Sequence, residues 1–320
     1  MTEHAYLLGI DIGGTNLRVA LADTAGKILA HTSSGTANVR DSHRIVAKIC
    51  ECTDQLLEDV GIVRDAIAYV GAGAPGVTNA ETGVVIATSY LMGWRDVPLK
   101  LMLEEALGVS AAVDNDVNLA ALGESFFGAA SGTPDFVFLA VGTGVGAGIL
   151  LKGELFQGAA WTAGEIGYML VPGVTEEPAD PGQPGPLESL AGGEGLRLRW
   201  LSLWDAARTT LPQNLTATQI FDGAVAGDPL ANSLLDRAAH TLACAIFNMT
   251  LVLNTPLFIL GGSVGLHAAL RDRIQNFVDI HARRLHPRVV LSGLGSDAQL
   301  MGAIRLAQLM AEHKSPTTAG

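Results

Sequence analysis

The sequence predicts an α/β chain of two related lobes around a central cleft, and three observations predict it. A glycine turn at Asp11-Ile-Gly-Gly-Thr15 separates two apolar runs, Tyr6–Ile10 and Leu17–Ala22, and the same design returns at Gly142-Thr-Gly-Val-Gly146 between Phe136–Val141 and Ala147–Leu151. Apolar runs bounded by glycine clusters read as strands, and recurrence of the whole unit reads as an internal doubling. The chain also has 320 residues, enough for two domains with separate cores.

The first segment reads strand, glycine turn, strand, then a Thr24-Ala-Gly26 turn and a third strand over Lys27–His31, a meander of hairpins. A helix follows over 41–60, with Ile45, Val46, Ile49, Leu56 and Leu57 at helical spacing and Asp41 or Ser42 as its N-cap. Ala66–Gly73 reads as a buried strand, after which Gly73-Ala-Pro-Gly76 turns the chain sharply. Trp94 and Pro98 lead into a helix over Leu99–Leu107, Ser110–Val113 is a short strand ending at Asp114-Asn-Asp116, and Val117–Phe127 is helical. The domain boundary is expected close to 123–134. The smaller N-terminal lobe takes residues 1–122 and is completed by a C-terminal helix over 298–311, and the larger C-terminal lobe takes 123–297. Beyond the second glycine hairpin, Glu176–Gly185 reads as a stiff loop rich in Pro and Gly. Helices are expected over 189–203, 215–225 and 229–253. Pro256–Leu260 is a buried strand stopped by Gly261-Gly262, then come a helix after Gly265, a strand over Val289–Leu291 and a final helix from Asp297 to about Met310. Ser315–Gly320 reads as a loose tail.

Composition excludes several roles. A formal charge of −12 argues against a nucleic-acid groove, whose sequence-independent affinity comes from clustered Lys and Arg. The most basic stretch, His281-Ala-Arg-Arg-Leu-His286, reads as a solvated helix end. A strand is expected by Ala5, which leaves no room for a signal segment and places the protein in the cytoplasm. No membrane role is expected, because even Phe136–Leu151 is cut by its glycine turn and spanning needs about 18 apolar residues. Three cysteines fit a reduced compartment. Cys50 and Cys52 lie in the amphipathic pattern of the first long helix and read as packing rather than metal ligands.

The glycine turns carry the chemistry. Such a turn brings backbone N–H groups up to a ligand with no side chain in the way, and a threonine adds a hydroxyl for a phosphate oxygen. Gly13, Gly14 and Thr15 offer this, as do Thr143, Gly144 and Gly146. Neither turn is a P-loop, which requires Gly-Lys-Ser/Thr feeding a helix, whereas both turns here feed strands. Asp11, at a strand end, can hold a hydrated Mg²⁺ that bridges nucleotide phosphates. Asp116 closes a short strand where a helix starts, which suits either an N-cap turn or a carboxylate facing a cleft.

Taken together, Asp11-Ile-Gly-Gly-Thr-Asn16, Gly73-Ala-Pro-Gly76, Asn115-Asp116 with Ala121-Leu-Gly-Glu124, Gly142-Thr-Gly-Val-Gly-Ala-Gly148, Gly164-Glu-Ile-Gly167 and Leu260-Gly-Gly262 resemble, in order, the motifs of the ROK family of bacterial sugar kinases and related repressors. The resemblance runs from the first strand to the Leu300-Met-Gly-Ala303 helix. It implies the ribonuclease H-like, actin-like ATPase fold of the actin, Hsp70 and hexokinase superfamily. It also implies ATP- and Mg²⁺-dependent transfer of a γ-phosphoryl group to the 6-hydroxyl of a hexose, glucose foremost. By the same resemblance, Asp116 is the base that accepts the hydroxyl proton, and Gly76, Asn115, Asp116, Glu165 and Glu188 contact the sugar, with Gly261 and Gly262 near the adenosine. Relatives of this kind are often homodimers.

Two departures stand out. Tyr168 occupies the place where the family commonly carries a histidine that binds both sugar and a structural zinc, and no cysteine lies between Cys52 and Cys244, so no zinc is expected. Pro178, Pro181, Pro184 and Pro186 are expected to stiffen that loop instead. Tyr90 stands where many relatives have an asparagine on the sugar. Either tyrosine can pack a ring face on a sugar and keep one hydroxyl for hydrogen bonding, or can fill space. Fructose, N-acetylmannosamine or N-acetylglucosamine as acceptor, polyphosphate as donor, and a non-catalytic sugar-sensing regulator remain alternatives. A repressor of this kind normally carries a helix-turn-helix before the first glycine hairpin.

Overall fold

The computed structural model describes residues 6–37, 39, 41–91, 93–172 and 183–314. The expected strand start at Ala5, the proline loop through Gly182 with Pro178 and Pro181, and the tail Ser315–Gly320 lie outside the described residues. The chain divides into two compact units, one comprising residues 1–127, 158–162 and 297–320, the other 128–157 and 163–296.

In the first unit, β1 (Tyr6–Ile12), β2 (Asn16–Asp23) and β3 (Ile28–Gly35) form the expected meander. Helix α1 (Ser42–Val60) then crosses over to β4 (Ile67–Ala74), which pairs parallel with β1. Asp41 caps α1 by accepting the His43 N–H, and Gly61 ends it in the left-handed region at φ 73°. A small sheet of β5 (Val77–Asn79), β6 (Val84–Ala87) and β7 (Arg95–Val97), which the sequence does not announce, precedes α2 (Leu99–Leu107). Strand β8 (Ala111–Asn115) pairs parallel with β4 and runs directly into α3 (Asp116–Phe127), giving the sheet order β3-β2-β1-β4-β8. Helix α3 is unbroken through Gly123, and the unit runs to its end at Phe127.

The second unit repeats that plan. Strands β9 (Phe136–Val141), β10 (Val145–Leu151) and the two-residue β11 (Glu154–Leu155) form the meander. The following helices are α4 (Pro186–Ala191), α5 (Gly193–Leu203), α6 (Ala217–Val225) and α7 (Pro229–Leu253). After them come β12 (Leu257–Gly261), the one-turn α8 (Gly262–Gly265), α9 (Ala268–His281) and β13 (Arg288–Leu291). The order is β11-β10-β9-β12-β13, with β9, β12 and β13 parallel, so the two sheets match strand for strand. The single helix expected over 189–203 is two helices that start earlier, because Gly192 adopts an extended conformation between them. Caps fix the others: Thr216 and Gln219 form a capping box on α6, and Asp228 accepts the Ala231 N–H ahead of Pro229 on α7.

Helix α10 (Ala298–Lys314) returns to the first unit and packs on β1, β4 and α3. The approach is close enough that a Cβ on Gly302 would lie 1.7 Å from the Leu119 carbonyl oxygen, and one on Gly71 would lie 1.9 Å from that of Ala303. Each unit buries its own core. Ile10, Val19, Ile49, Val70, Leu103 and Val113 serve the first, and Leu139, Trp200, Phe221, Leu242, Ile246 and Phe258 the second. Among the described residues no helix is long and apolar enough to cross a membrane.

Candidate functional site

In the first unit the candidate residues gather at one end of the sheet. Register sets Asp11 opposite Gly73, and Gly73 opposite Asp114, so the carboxyl ends of β1, β4 and β8 form one row. Open α/β sheets bind ligands at that end of their parallel strands. The glycine turn, Gly76 and Asn115-Asp116 all leave the sheet there.

The turn is anchored through its carbonyls. The Gly13 N–H closes the hairpin by donating to the Asn16 oxygen at 2.8 Å, so it serves the turn itself. Buried Thr36 donates its hydroxyl to the Gly13 oxygen (2.8 Å) and its N–H to the Thr15 oxygen (2.9 Å). The N–H groups of Gly14 and Thr15 find no acceptor among the described residues, and Thr15 is exposed. Open N–H groups in a concave turn are an anion site.

Asp11 is held by Arg18, whose Nε (2.9 Å) and Nη2 (2.7 Å) both donate to Oδ2, while Nη1 reaches Asp297 at 3.2 Å. Burial pushes the Asp11 carboxyl above its ordinary pKa and Arg18 pulls it back down. Oδ1 takes no hydrogen bond among the described residues. A single free carboxylate oxygen fits a magnesium ion that keeps its waters and takes its other ligands from phosphates. Among the described residues no three carboxylate, His or Cys groups gather as a metal cage.

Asn115, rather than an aspartate, caps α3. Its Oδ1 accepts the N–H groups of Val117 (2.8 Å) and Asn118 (3.1 Å), and its Nδ2 donates to the Gly76 oxygen at 2.8 Å. Buried Asp114 supports the corner, accepting from the Asn115 N–H (2.6 Å) and Asn118 Nδ2 (3.0 Å). Asp116 shares that corner, its Oδ1 also accepting the Val117 N–H at 2.9 Å. It is half-buried at the first helical position. Tyr90 lies against the glycine turn, its carbonyl 3.3 Å from where a Cβ on Gly14 would sit, and is 46% exposed.

The second unit has its own set. The Gly142 N–H donates to the Gly144 oxygen at 3.0 Å, and the first N–H groups of α5 anchor the turn from behind, Gly193 to the Gly142 oxygen (2.7 Å) and Glu194 to that of Thr143 (3.1 Å). A Cβ on Gly193 would itself come within 2.7 Å of the Gly142 oxygen, so the break at Gly192 brings a bare helix end onto the turn. The Thr143 and Gly144 N–H groups find no acceptor among the described residues. Gly146 lies past the turn, inside β10 opposite Ala140.

Glu188, in the first turn of α4, accepts the Val145 N–H at 2.8 Å. Glu165 immediately precedes a 3₁₀ turn, Ile166–Tyr168, whose Tyr168 is 45% exposed. The Glu165 side chain as a whole is open to solvent, yet local burial of its carboxyl, and then the Glu188 carboxylate, push its pKa up. Gly261 and Gly262 stand at the carboxyl end of β12. A Cβ on Gly261 would lie 2.2 Å from the Phe138 ring, so packing alone demands glycine there.

Sequence reasoning missed Thr36, Arg18 and the α5 N-terminus. Arg18 faces Asp11 across the β1–β2 ladder and is legible once the hairpin register is known. Thr36 follows a strand with no motif around it, and nothing in the sequence marks it.

The chain matches the model of the ROK family over residues 7–309. It is 32% identical to a glucokinase of Halalkalibacterium halodurans over 316 residues, 94% of each chain. It is 28% identical to an N-acetylmannosamine kinase of Escherichia coli (92% of this chain, 96% of that one) and 24% identical to a xylose repressor of Caldicellulosiruptor bescii (94% and 77%). Among solved structures, a ROK hexokinase from Thermus thermophilus superposes with a TM-score of 0.78 at 27% identity, covering 96% of this chain and 99% of that one. A ROK family glucokinase from Streptomyces griseus, in complex with glucose and AMPPNP, superposes with a TM-score of 0.75 at 26% identity, covering 95% and 99%.

Proposed function

The chain belongs to the ROK family and has the actin-like ATPase fold of its solved kinases, and from that membership we propose an ATP- and Mg²⁺-dependent hexose kinase, glucokinase-like, acting on the sugar 6-hydroxyl. The observation that carries this reading is the end of the first sheet, where the Asp116 carboxylate and the open N–H groups of Gly14 and Thr15 leave one row of strand ends.

Phosphoryl transfer needs a proton acceptor for the hydroxyl, donors for the phosphate oxygens and tight positioning. Asp116 takes the proton of the 6-hydroxyl as its oxygen bonds to the γ-phosphorus and the bond to the β-bridging oxygen breaks, releasing ADP. In the first unit the N–H groups of Gly14 and Thr15 receive phosphate oxygens, with Gly13 shaping the turn. Asp11 would hold Mg²⁺ through water, and the ion would offset phosphate charge. In the second unit Thr143 and Gly144 offer the same donors, with Gly146, Gly261 and Gly262 contributing backbone beside them. Glu165, Glu188 and the remaining amide hydrogen of Asn115 suit sugar hydroxyls, each fixing a direction of hydrogen bonding. Gly76, Tyr90 and Tyr168 complete the proposed sugar contacts.

The glucokinase relative and the glucose complex of the Streptomyces enzyme support glucose as acceptor. The N-acetylmannosamine kinase relative supports an N-acetylated sugar as the second choice, with N-acetylglucosamine and fructose behind it. The similarity to a xylose repressor supports a sugar-sensing regulator as the alternative of another class. An ADP-release assay with ATP and a panel of glucose, mannose, fructose, N-acetylmannosamine and N-acetylglucosamine decides among them. Turnover is expected to be highest with glucose, and no ADP release with any sugar would overturn the kinase reading.

A further inference from the structure

We propose that Thr36 is a positioning residue that aims the first glycine turn at nucleotide phosphate, an inference that rests on the nucleotide-binding part of the reading above. A trans peptide is planar, so its C=O and N–H point in opposite directions, and fixing one aims the other. The Gly13 oxygen belongs to the same peptide plane as the Gly14 N–H. When the Thr36 hydroxyl takes that oxygen at 2.8 Å, the Gly14 N–H is turned away from Thr36 and out of the turn. The Thr36 N–H fixes the Thr15–Asn16 plane in the same way at 2.9 Å, leaving the Thr15 N–H between two anchored peptides.

The second unit applies the same rule with backbone alone. The Gly193 N–H holds the Gly142 oxygen and so aims the Thr143 N–H, and the Glu194 N–H holds the Thr143 oxygen and so aims that of Gly144. Every open N–H of that turn belongs to a peptide whose carbonyl is pinned. Thr36 is the one place among these anchors where a side chain supplies the donor, and at 1% exposure no water replaces it. Removing the hydroxyl leaves the Gly13 carbonyl without a partner and its peptide free to rotate, which loosens the donors that phosphate needs.

The test is a series at one position. Thr36→Val keeps shape and removes the donor, Thr36→Ser keeps the donor, and Thr36→Cys keeps a weak one. The KM for ATP is expected to rise about 3- to 10-fold in Thr36→Val, less in Thr36→Cys and within about 2-fold in Thr36→Ser, while the hexose KM stays flat. Joint rises in both KM values, or a larger rise in Thr36→Ser than in Thr36→Val, would overturn the assignment. So would an unchanged ATP KM in Thr36→Val. Should Thr36→Val not fold, Thr36→Ser against Thr36→Cys carries the same comparison. A wild-type protein that binds AMPPNP but phosphorylates no hexose sinks the kinase reading alone, and the series is then read on AMPPNP affinity.

Discussion

Asp116 and Glu165 are carboxylates with different expected roles, and their surroundings separate them. Asn115 caps α3 by accepting the N–H groups of Val117 and Asn118, and Asp116 adds only a second contact to the first of them. Asp116→Asn therefore keeps the helix start and removes the proton acceptor, and kcat is expected to fall by about 10²- to 10⁴-fold with hexose affinity little changed. Near-normal turnover in the coupled assay would remove Asp116 from the mechanism. Glu165 is expected to report through pH. Its carboxyl is pushed up by local burial and by Glu188, so its ionised form is lost at a less acidic pH than an ordinary glutamate's. The acid limb of kcat/KM for hexose should sit correspondingly high and move in Glu165→Gln. The stability sign follows from the same shift: with the folded pKa above the unfolded one, rising pH through that window lowers stability. Glu165→Gln should remove that loss, so its melting temperature should gain on wild type between acid and neutral pH, and a constant difference would refute the shift. At this scale, the residues lying on motifs were legible in the sequence. Asn115 as the cap, Arg18 on Asp11 and Thr36 behind the turn were not, because each depends on strand register or on a fold-back that no local pattern encodes.

The elements legible in sequence are those with a strong period or a hard stop. Helix α1 begins after Asp41 and ends at Gly61, and α2 fills Leu99–Leu107 as its apolar spacing predicts. The small sheet of β5, β6 and β7 escaped, since strands of three and four residues show no alternation to read. The break between α4 and α5 escaped because Gly192 is as compatible with a weak helix as with an extended link, and what decides is the docking of α5 on the second glycine turn. Close packing of α10 is an element-scale property too, and Gly302 tests it. A methyl there meets the Leu119 carbonyl, so α10 must retreat from α3. Gly302→Ala is expected to cost about 1–3 kcal/mol, read by chemical denaturation, and a neutral result would show that the helix pair yields freely.

At the scale of the whole molecule, the same five-strand plan occurs twice, and among the described residues each copy buries a large apolar cluster of its own. Two-state unfolding is characteristic of single small domains with one core, and independent cores weaken that cooperativity. Calorimetry is therefore expected to give an unfolding enthalpy larger than the van't Hoff value from the same transition. Ligand addition tests the sugar contacts proposed for the second unit. A nucleotide or hexose that binds only the native state stabilises whatever unit it holds by RT ln(1 + [L]/Kd), about 2.7 kcal/mol at a hundredfold excess over Kd. If Glu165 and Glu188 hold the sugar, glucose should raise the transition of the second unit, and Glu165→Gln should reduce that rise more than it reduces the rise given by AMPPNP. Equal loss of both effects would argue that Glu165 supports the unit's packing, whereas loss of the glucose effect alone ties the carboxylate to the acceptor sugar.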